Sequence, residues 1–107
     1  MSKEKKKIRE KFAEEVFARD NWACKVCENS LHDMFTLDAH HITDRNEMPN
    51  GGYVKENGIT LCSECHIKAE VFHVSYGERW ADGFHPDDLY KLIGSNKNLA
   101  IKESKKL

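Results

Sequence analysis

The sequence predicts a single α+β domain, and three observations support this prediction. Apolar residues recur at helical spacing near the N-terminus, two short β-prone runs lie near the middle, and two Cys-x-x-Cys pairs flank those runs. The chain has 107 residues, of which 39% are hydrophobic and 33% are charged. This size and composition suit one globular domain with a small core. No internal repeat or interdomain linker is visible, so we expect residues 1–107 to form one unit.

The first predicted element is a helix from Lys3 to about Arg19, within a basic amphipathic segment, residues 1–20. Its apolar side chains recur at positions i, i+4, i+8 and i+9, while Lys and Glu fill the other side. We interpret the apolar stripe as a face that packs on the core, and it consists of Ile8, Phe12, Val16 and Phe17.

The central segment, residues 22–75, is predicted to contain a strand, a loop, a second strand and a helix. Thr36–Ile42 alternates as a strand does, with Leu37, Ala39 and His41 on one face.

The loop follows at Thr43–Glu56 and contains the turn signal Pro-Asn-Gly-Gly. Gly58–Leu61 is the second β-prone run. From Ser63 to about Val74 the pattern becomes helical, and the expected buried side chains are Ile67, Val71 and Phe72.

The C-terminal segment, residues 86–107, is predicted to be one helix followed by a basic tail. Pro86 suits the first turn of a helix, and the two Asp residues after it complement the helix dipole. Gly94 is expected to close this helix.

All four cysteines fall into two knuckles, Cys24 with Cys27 and Cys62 with Cys65. The basic N-terminus has no apolar stretch behind it, so it is not a secretory signal. In an intracellular protein, thiols favour a metal over disulfides. Two such knuckles supply four thiolates for a tetrahedral ion, so we expect them to bind one structural Zn²⁺.

Four polar residues beside the knuckles follow a specific order. In chain order they are His40, His41, Asn57 and His66. The last of them directly follows Cys65, nine residues after the asparagine. Over residues 22–70 this pattern closely resembles the HNH endonuclease family. The resemblance implies a ββα-metal (His-Me finger) core, here with the zinc site and flanked by N-terminal and C-terminal helices.

The resemblance also implies a role for each residue. His41 is the general base that activates water, and His40 and His66 are ligands of a catalytic divalent metal, Mg²⁺ or Mn²⁺. Asn57 orients the loop and the base through hydrogen bonds. Glu70, one turn after His66, stands where the nuclease colicins of this family have a further metal-binding His, so it is a candidate third ligand.

The implied function is metal-dependent hydrolysis of DNA phosphodiester bonds. A catalytically silent zinc-knuckle module that binds nucleic acid or protein is the alternative. The presence of a base, an asparagine and metal ligands together favours the enzyme, because a binding module has no use for a base.

Charge is distributed unevenly along the chain. Residues 1–11 and 91–107 each carry +4, so residues 12–90 carry −9 within a chain of net charge −1. We expect the basic ends to hold DNA phosphates. Arg45 is either another phosphate contact or an exposed surface residue.

The remaining histidines, His32, His73 and His85, are expected to be surface or packing residues, and Asp38 a surface residue of the strand. Small free-standing proteins of this type resemble those of phages, mobile elements and some restriction systems. This implies an intracellular location, in bacterial cytoplasm if phage-encoded, and a phage packaging or other specificity-providing protein as partner. No apolar run reaches the ~18 residues that span a bilayer, so no membrane partner is expected.

Overall fold

The computed structural model describes residues 3–27 and 36–107 of the chain. Within them, helices and strands follow in the order α1, β1, β2, α2, α3 and α4. Their bounds are α1 Lys3–Arg19, β1 Asp38–His41, β2 Gly58–Leu61, α2 Ser63–Val74, α3 Pro86–Leu92 and α4 Lys97–Ser104. The order from β1 to α2 confirms the expected α+β fold with a ββα core. No helix in this described part of the chain is long and apolar enough to cross a membrane.

The strand β1 is shorter than the predicted Thr36–Ile42. Its first residue, Asp38, pairs with Leu61, the last residue of β2. Because β2 gives way there to the second knuckle, residues before Asp38 have no partner with which to extend the ladder. The loop after β1 folds into three short 3-10 turns, at Arg45–Glu47, Pro49–Gly52 and Lys55–Asn57.

The two strands pair antiparallel and lie between two helices. His41 stands opposite Gly58 in the register. On this face the ring of His41 stacks on Phe12 of α1, with centroids 4.5 Å apart. On the other face Nδ1 of His40 lies 3.2 Å from a carboxylate oxygen of Glu70 on α2. Neighbouring strand residues point to opposite sides, so the histidine pair is divided between the two helices, as expected.

The C-terminal end of α1 is held against β2 by a partly buried ion pair. The Arg19 guanidinium donates two hydrogen bonds of 2.8 Å to the Asp20 carboxylate. It donates two more, of 2.6 and 2.7 Å, to the carbonyl oxygens of Lys55 and Gly58. Asp20 also accepts from the backbone N–H of Thr60 at 2.9 Å. These contacts fix α1 in position over the sheet.

The buried face of α2 differs from the predicted one. Cys65 and Ala69 are buried, whereas Ile67 is 72% exposed and Val71 is 36% exposed. Phe72 is half-buried. The prediction that Ile67, Val71 and Phe72 form the buried set is therefore wrong. The thiol of Cys65 joins the other three cysteines, and this contact turns a different side of α2 inward.

The start of α3 is as predicted. Its first residue is Pro86, and the side chain of His85 accepts a hydrogen bond of 3.1 Å from the backbone N–H of Asp87. The chain leaves α3 through Gly94, whose φ of +67° suits a residue that ends a helix.

The prediction that a basic tail follows the last helix is wrong, because most of those residues form a further helix, α4. The side chain of Asn96 caps this helix by accepting from the backbone N–H of Leu99 at 2.8 Å. Ala100 and Ser104 are fully buried. The Lys residues of this segment stay exposed around the small buried face. Their number made the segment resemble a solvated tail in the sequence, although it packs as a helix.

Gly58 of β2 packs closely against α1. A Cβ there would lie 2.4 Å from Cγ2 of Val16 and 2.7 Å from the ring of Phe12. We expect Gly58→Ala to lower the free energy of unfolding by about 1–3 kcal/mol, the range for overpacked cores, in urea denaturation. Adding Val16→Ala should recover part of that loss. Fully additive losses in the double variant would contradict the proposed clash.

Candidate active site and metal centres

The two knuckles meet in space. Cys24 and Cys27 follow the turn that ends α1, where the backbone N–H of Lys25 donates a 2.9 Å hydrogen bond to β2. Cys62 directly follows β2, and Cys65 lies in the first turn of α2. All four sulfur atoms lie within 4.8 Å of one another, and those of Cys27 and Cys62 are 4.0 Å apart.

These four thiols fit one tetrahedral metal ion. Thiolates about 2.3 Å from a zinc ion lie roughly 3.8 Å apart, close to the observed spacing. Burial opposes ionisation of Cys24, but hydrogen bonds from backbone N–H groups outweigh it and lower the pKa to about 7. Burial and the neighbouring thiols raise the pKa of Cys65. Ionisation of the thiols beyond Cys24 therefore needs a nearby cation that compensates the negative charge, as a bound metal ion would.

A second group of ligand atoms lies between β1 and α2. Nδ1 of His40 and Nε2 of His66 each lie 3.2 Å from Oε1 of Glu70. Ligand atoms at about 2.0–2.2 Å from one ion are roughly 3.0–3.5 Å apart. The two imidazoles and the carboxylate, called here the ligand triad, thus fit a single divalent cation. The structure brings together the three residues expected to hold the catalytic metal, Glu70 included.

The charge states within the ligand triad suit a cation. The hydrogen bond from His40 is the largest cause lowering the pKa of Glu70, which falls to about 2. Burial lowers the pKa of His40. Glu70 is therefore ionised and His40 neutral near pH 7, and these are the forms that bind metals.

Asp38 orients one imidazole of the ligand triad. Its Oδ2 lies 3.1 Å from Nδ1 of His66. A carboxylate on one ring nitrogen fixes the tautomer whose other nitrogen has a free lone pair for a metal. We expected Asp38 to be a surface residue, and its side chain is 53% exposed, but it also makes this contact. Asp38 stands two residues before His40 and so lies on the same face of β1. In the sequence, this spacing was the feature that indicated a place for Asp38 near the metal ligands.

His41 lies on the α1 side of β1, apart from the ligand triad. Its ring sits between Phe12, stacked at 4.5 Å, and Tyr53, edge-on at 4.6 Å. Burial is the main cause that lowers the pKa of His41 to about 4, with added repulsion from His40 and Arg45, so the ring is neutral at pH 7. Its Nε2 is buried and has no hydrogen-bond partner among residues 3–27 and 36–107.

One cavity joins these features. It has a volume of about 260 Å³ and is lined by His41, the ligand triad and His73. Nε2 of His73 lies 3.0 Å from the carbonyl oxygen of His41, and its ring stacks on His40 with centroids 5.2 Å apart. We expected His73 to be a surface or packing residue. It stands about two helical turns after His66, on the same side of α2, which places it at the site.

The other polar residues singled out from the sequence are not in the ligand triad. His85 caps α3, and Arg45 is exposed at the rim of the cavity. His32 lies outside the residues that the structure describes.

Residues 24–72 match the family model described as HNH endonuclease. The matched segment contains both knuckles, both strands and most of α2. It includes His40, His41 and His66 of the cavity and the buried Asn57, but ends one residue before His73. This segment is similar to the HNH endonuclease family. The comparisons with curated proteins and with solved structures gave no match.

Asn57 is the buried polar centre of the matched segment, with no exposed surface. Its Oδ1 accepts from the backbone N–H of Thr43 at 3.0 Å and from the hydroxyl of Tyr90 at 2.7 Å. Its Nδ2 donates to the carbonyl oxygens of Thr43 at 3.0 Å and Gly52 at 3.2 Å. These bonds clamp the loop that begins directly after β1, which is what an orienting residue would need to do.

Tyr90 belongs to α3, outside the matched HNH segment, so its contribution can be tested separately. Tyr90→Phe should lower the free energy of unfolding by about 1–2 kcal/mol in urea denaturation, because buried groups of Asn57 and Thr43 lose a hydrogen-bond partner. Tyr76→Phe is the matched control, since Tyr76 is 95% exposed, and its stability should not change. Equal stability of the two variants would contradict this network.

Proposed function

We propose that this protein is a metal-dependent endonuclease that hydrolyses phosphodiester bonds of DNA. One observation carries the proposal: a neutral histidine, His41, borders the same cavity as the ligand triad. Phosphodiester hydrolysis needs a base for water and a cation for the phosphate, and the cavity has residues suited to both. The HNH match over residues 24–72 supports the same reaction class.

His41 is the proposed general base. Its Nε2 is enclosed by the protein, so Nδ1 is the nitrogen left to accept a proton from water. The neutral tautomer with its proton on Nε2 presents the required lone pair at Nδ1. The resulting hydroxide attacks phosphorus, and the bond to the leaving sugar oxygen breaks. The contact from His73 to the His41 carbonyl holds the backbone of the base in place.

His40, His66 and Glu70 are the proposed holders of the catalytic metal. A bound divalent cation would neutralise charge on the phosphate and stabilise the leaving oxygen. Imidazole ligands suit transition metals, whereas a carboxylate also suits Mg²⁺ and Mn²⁺. Two imidazoles with one carboxylate therefore favour Mn²⁺ over Mg²⁺, although both were expected from the sequence.

The four cysteines are the proposed ligands of a structural Zn²⁺. This ion would join the end of α1 to the start of α2. Because Cys65 directly precedes His66, the sulfur cluster would also fix that imidazole relative to β1.

Substitution of the histidines tests the proposed roles. His41→Ala should reduce plasmid cleavage in Mn²⁺ by at least about 10²–10⁴-fold, since a general base is lost, but leave divalent-metal binding nearly intact. His40→Ala and His66→Ala should weaken both cleavage and metal binding. Plasmid nicking and isothermal titration with Mn²⁺ are the measurements.

The outcomes separate the alternatives. Loss of metal binding in His41→Ala, together with normal cleavage by His40→Ala, would contradict these assignments and make His41, not His40, the metal ligand. A wild-type protein that binds DNA but cuts none with either Mn²⁺ or Mg²⁺ would instead be a silent zinc-knuckle module.

Removal of one thiol tests the structural metal. Cys62→Ser should lose the bound zinc and much of its folded circular dichroism signal, because such ions contribute directly to folding. Glu64→Gln is the control, since Glu64 is an exposed residue in the same knuckle, and it should keep both. Unchanged metal content and melting temperature in Cys62→Ser would show that the knuckles do not share an ion.

A further inference from the structure

A basic cleft lies beside the cavity of the ligand triad, between α1 and the loop after β1. It has a volume of about 510 Å³. Its lining includes Lys5 and Arg9 from α1 and Arg45 from the loop, but no Asp or Glu side chain. Lys5 and Arg9 belong to residues 1–11, which carry a formal charge of +4, and Arg45 adds a third cation from residues 12–90, which otherwise carry an excess of negative charge. Such a lining attracts an anion.

Both arginines of this basic cleft are available to a ligand. Within the described ranges, 3–27 and 36–107, neither Arg9 nor Arg45 forms a salt bridge with a carboxylate. Both instead approach Tyr53. Nη1 of Arg45 lies 3.5 Å from its hydroxyl oxygen, and the Arg9 guanidinium lies 6.0 Å from the ring centroid.

Tyr53 is held in a defined position at the centre of the basic cleft. Gly51 lies so close that a Cβ on it would be 2.8 Å from the Tyr53 ring. Phe12 packs edge-on against the same ring at 5.7 Å. The hydroxyl between the two arginines is therefore a preorganised donor for an anion.

The basic cleft adjoins the proposed catalytic base. Tyr53 contacts the ring of His41 edge-on at 4.6 Å, and Arg45 lines both the basic cleft and the cavity of the ligand triad. An anion in the basic cleft would thus be the neighbour of a group bound in the cavity.

We propose that the basic cleft binds a backbone phosphate of DNA next to the phosphate that is cut. Arg9 and Arg45 would donate charged hydrogen bonds to its oxygens, with the Tyr53 hydroxyl between them. Guanidinium groups suit this task because their donors match the geometry of phosphate. The inference rests on the proposed nuclease function, since it defines the second phosphate relative to the first.

Equilibrium binding to a short DNA duplex, without added divalent metal, tests the cleft independently of cleavage. Arg9→Gln and Arg45→Gln should each weaken binding by roughly tenfold or more. Each should also reduce the log–log dependence of affinity on KCl by about 0.9, the value for one lost phosphate contact. Arg79→Gln is the control, because it makes the same substitution at an exposed position after α2, outside the cleft and outside both basic ends, and it should do neither.

A charge-neutral variant separates a built site from diffuse attraction. Tyr53→Phe keeps the ring on His41 but removes the hydroxyl, and should weaken duplex binding by about 3- to 10-fold. Tyr76→Phe removes a hydroxyl from a 95% exposed residue and should bind as the wild type does. Thermal unfolding of every variant establishes that the fold is kept.

The phosphate-site proposal and the nuclease proposal can be rejected independently. If Arg9→Gln matches Arg79→Gln and Tyr53→Phe matches Tyr76→Phe, the cleft is not a phosphate site, even where the wild type cuts plasmid. If the wild type does not cut but the cleft variants lose binding as expected, the nuclease proposal fails, and the phosphate site is supported as part of a nucleic-acid-binding module.

Discussion

The register of two four-residue strands is the constraint on which the site depends. Because Cys62 and then α2 follow β2 without a linker, pairing of β1 with β2 also positions α2 against β1. A slip of one residue would move each strand side chain to the opposite face of the sheet. His40 would then leave Glu70, and His41 would leave Phe12. The ion pair of Arg19 with Asp20 and the cluster of four cysteine thiols help to hold this register.

The helix α1 lies outside the HNH segment but serves it in two ways. Its apolar side supplies Phe12, which stacks on the ring of His41, and Val16, which packs close to Gly58 of β2. Its polar side supplies Lys5 and Arg9 to the basic cleft. One amphipathic helix therefore shields the proposed base from water on one side and faces the proposed path of DNA with the other.

The C-terminal helices support the loop between the strands. Tyr90 of α3 reaches Asn57, and Ser95 donates a 2.8 Å hydrogen bond to the carbonyl oxygen of Glu56. From the same loop, Asn50 donates a 3.0 Å hydrogen bond to the carbonyl oxygen of Ser104 in α4. A short chain with a two-stranded sheet has little core of its own, so these flanking contacts take the place of a larger domain.

The sequence by itself determined the elements and the chemistry that depends on close spacing. Helical periodicity predicted α1 and α2 with the bounds observed, and the spacing from His66 to Glu70 placed two ligand atoms one turn apart. Two Cys-x-x-Cys pairs likewise predicted that the four thiols would lie together, as they do.

Only the tertiary structure decided which distant residues support these groups. The contacts of Asp38 with His66 and of Tyr90 with Asn57 join residues 28 and 33 positions apart. Such pairs result from the packing of separate elements, which no local pattern encodes. The inward face of α2 was mispredicted for the same reason, because a thiol bound into a remote cluster outweighed the apolar side chains that hydrophobic periodicity alone would bury.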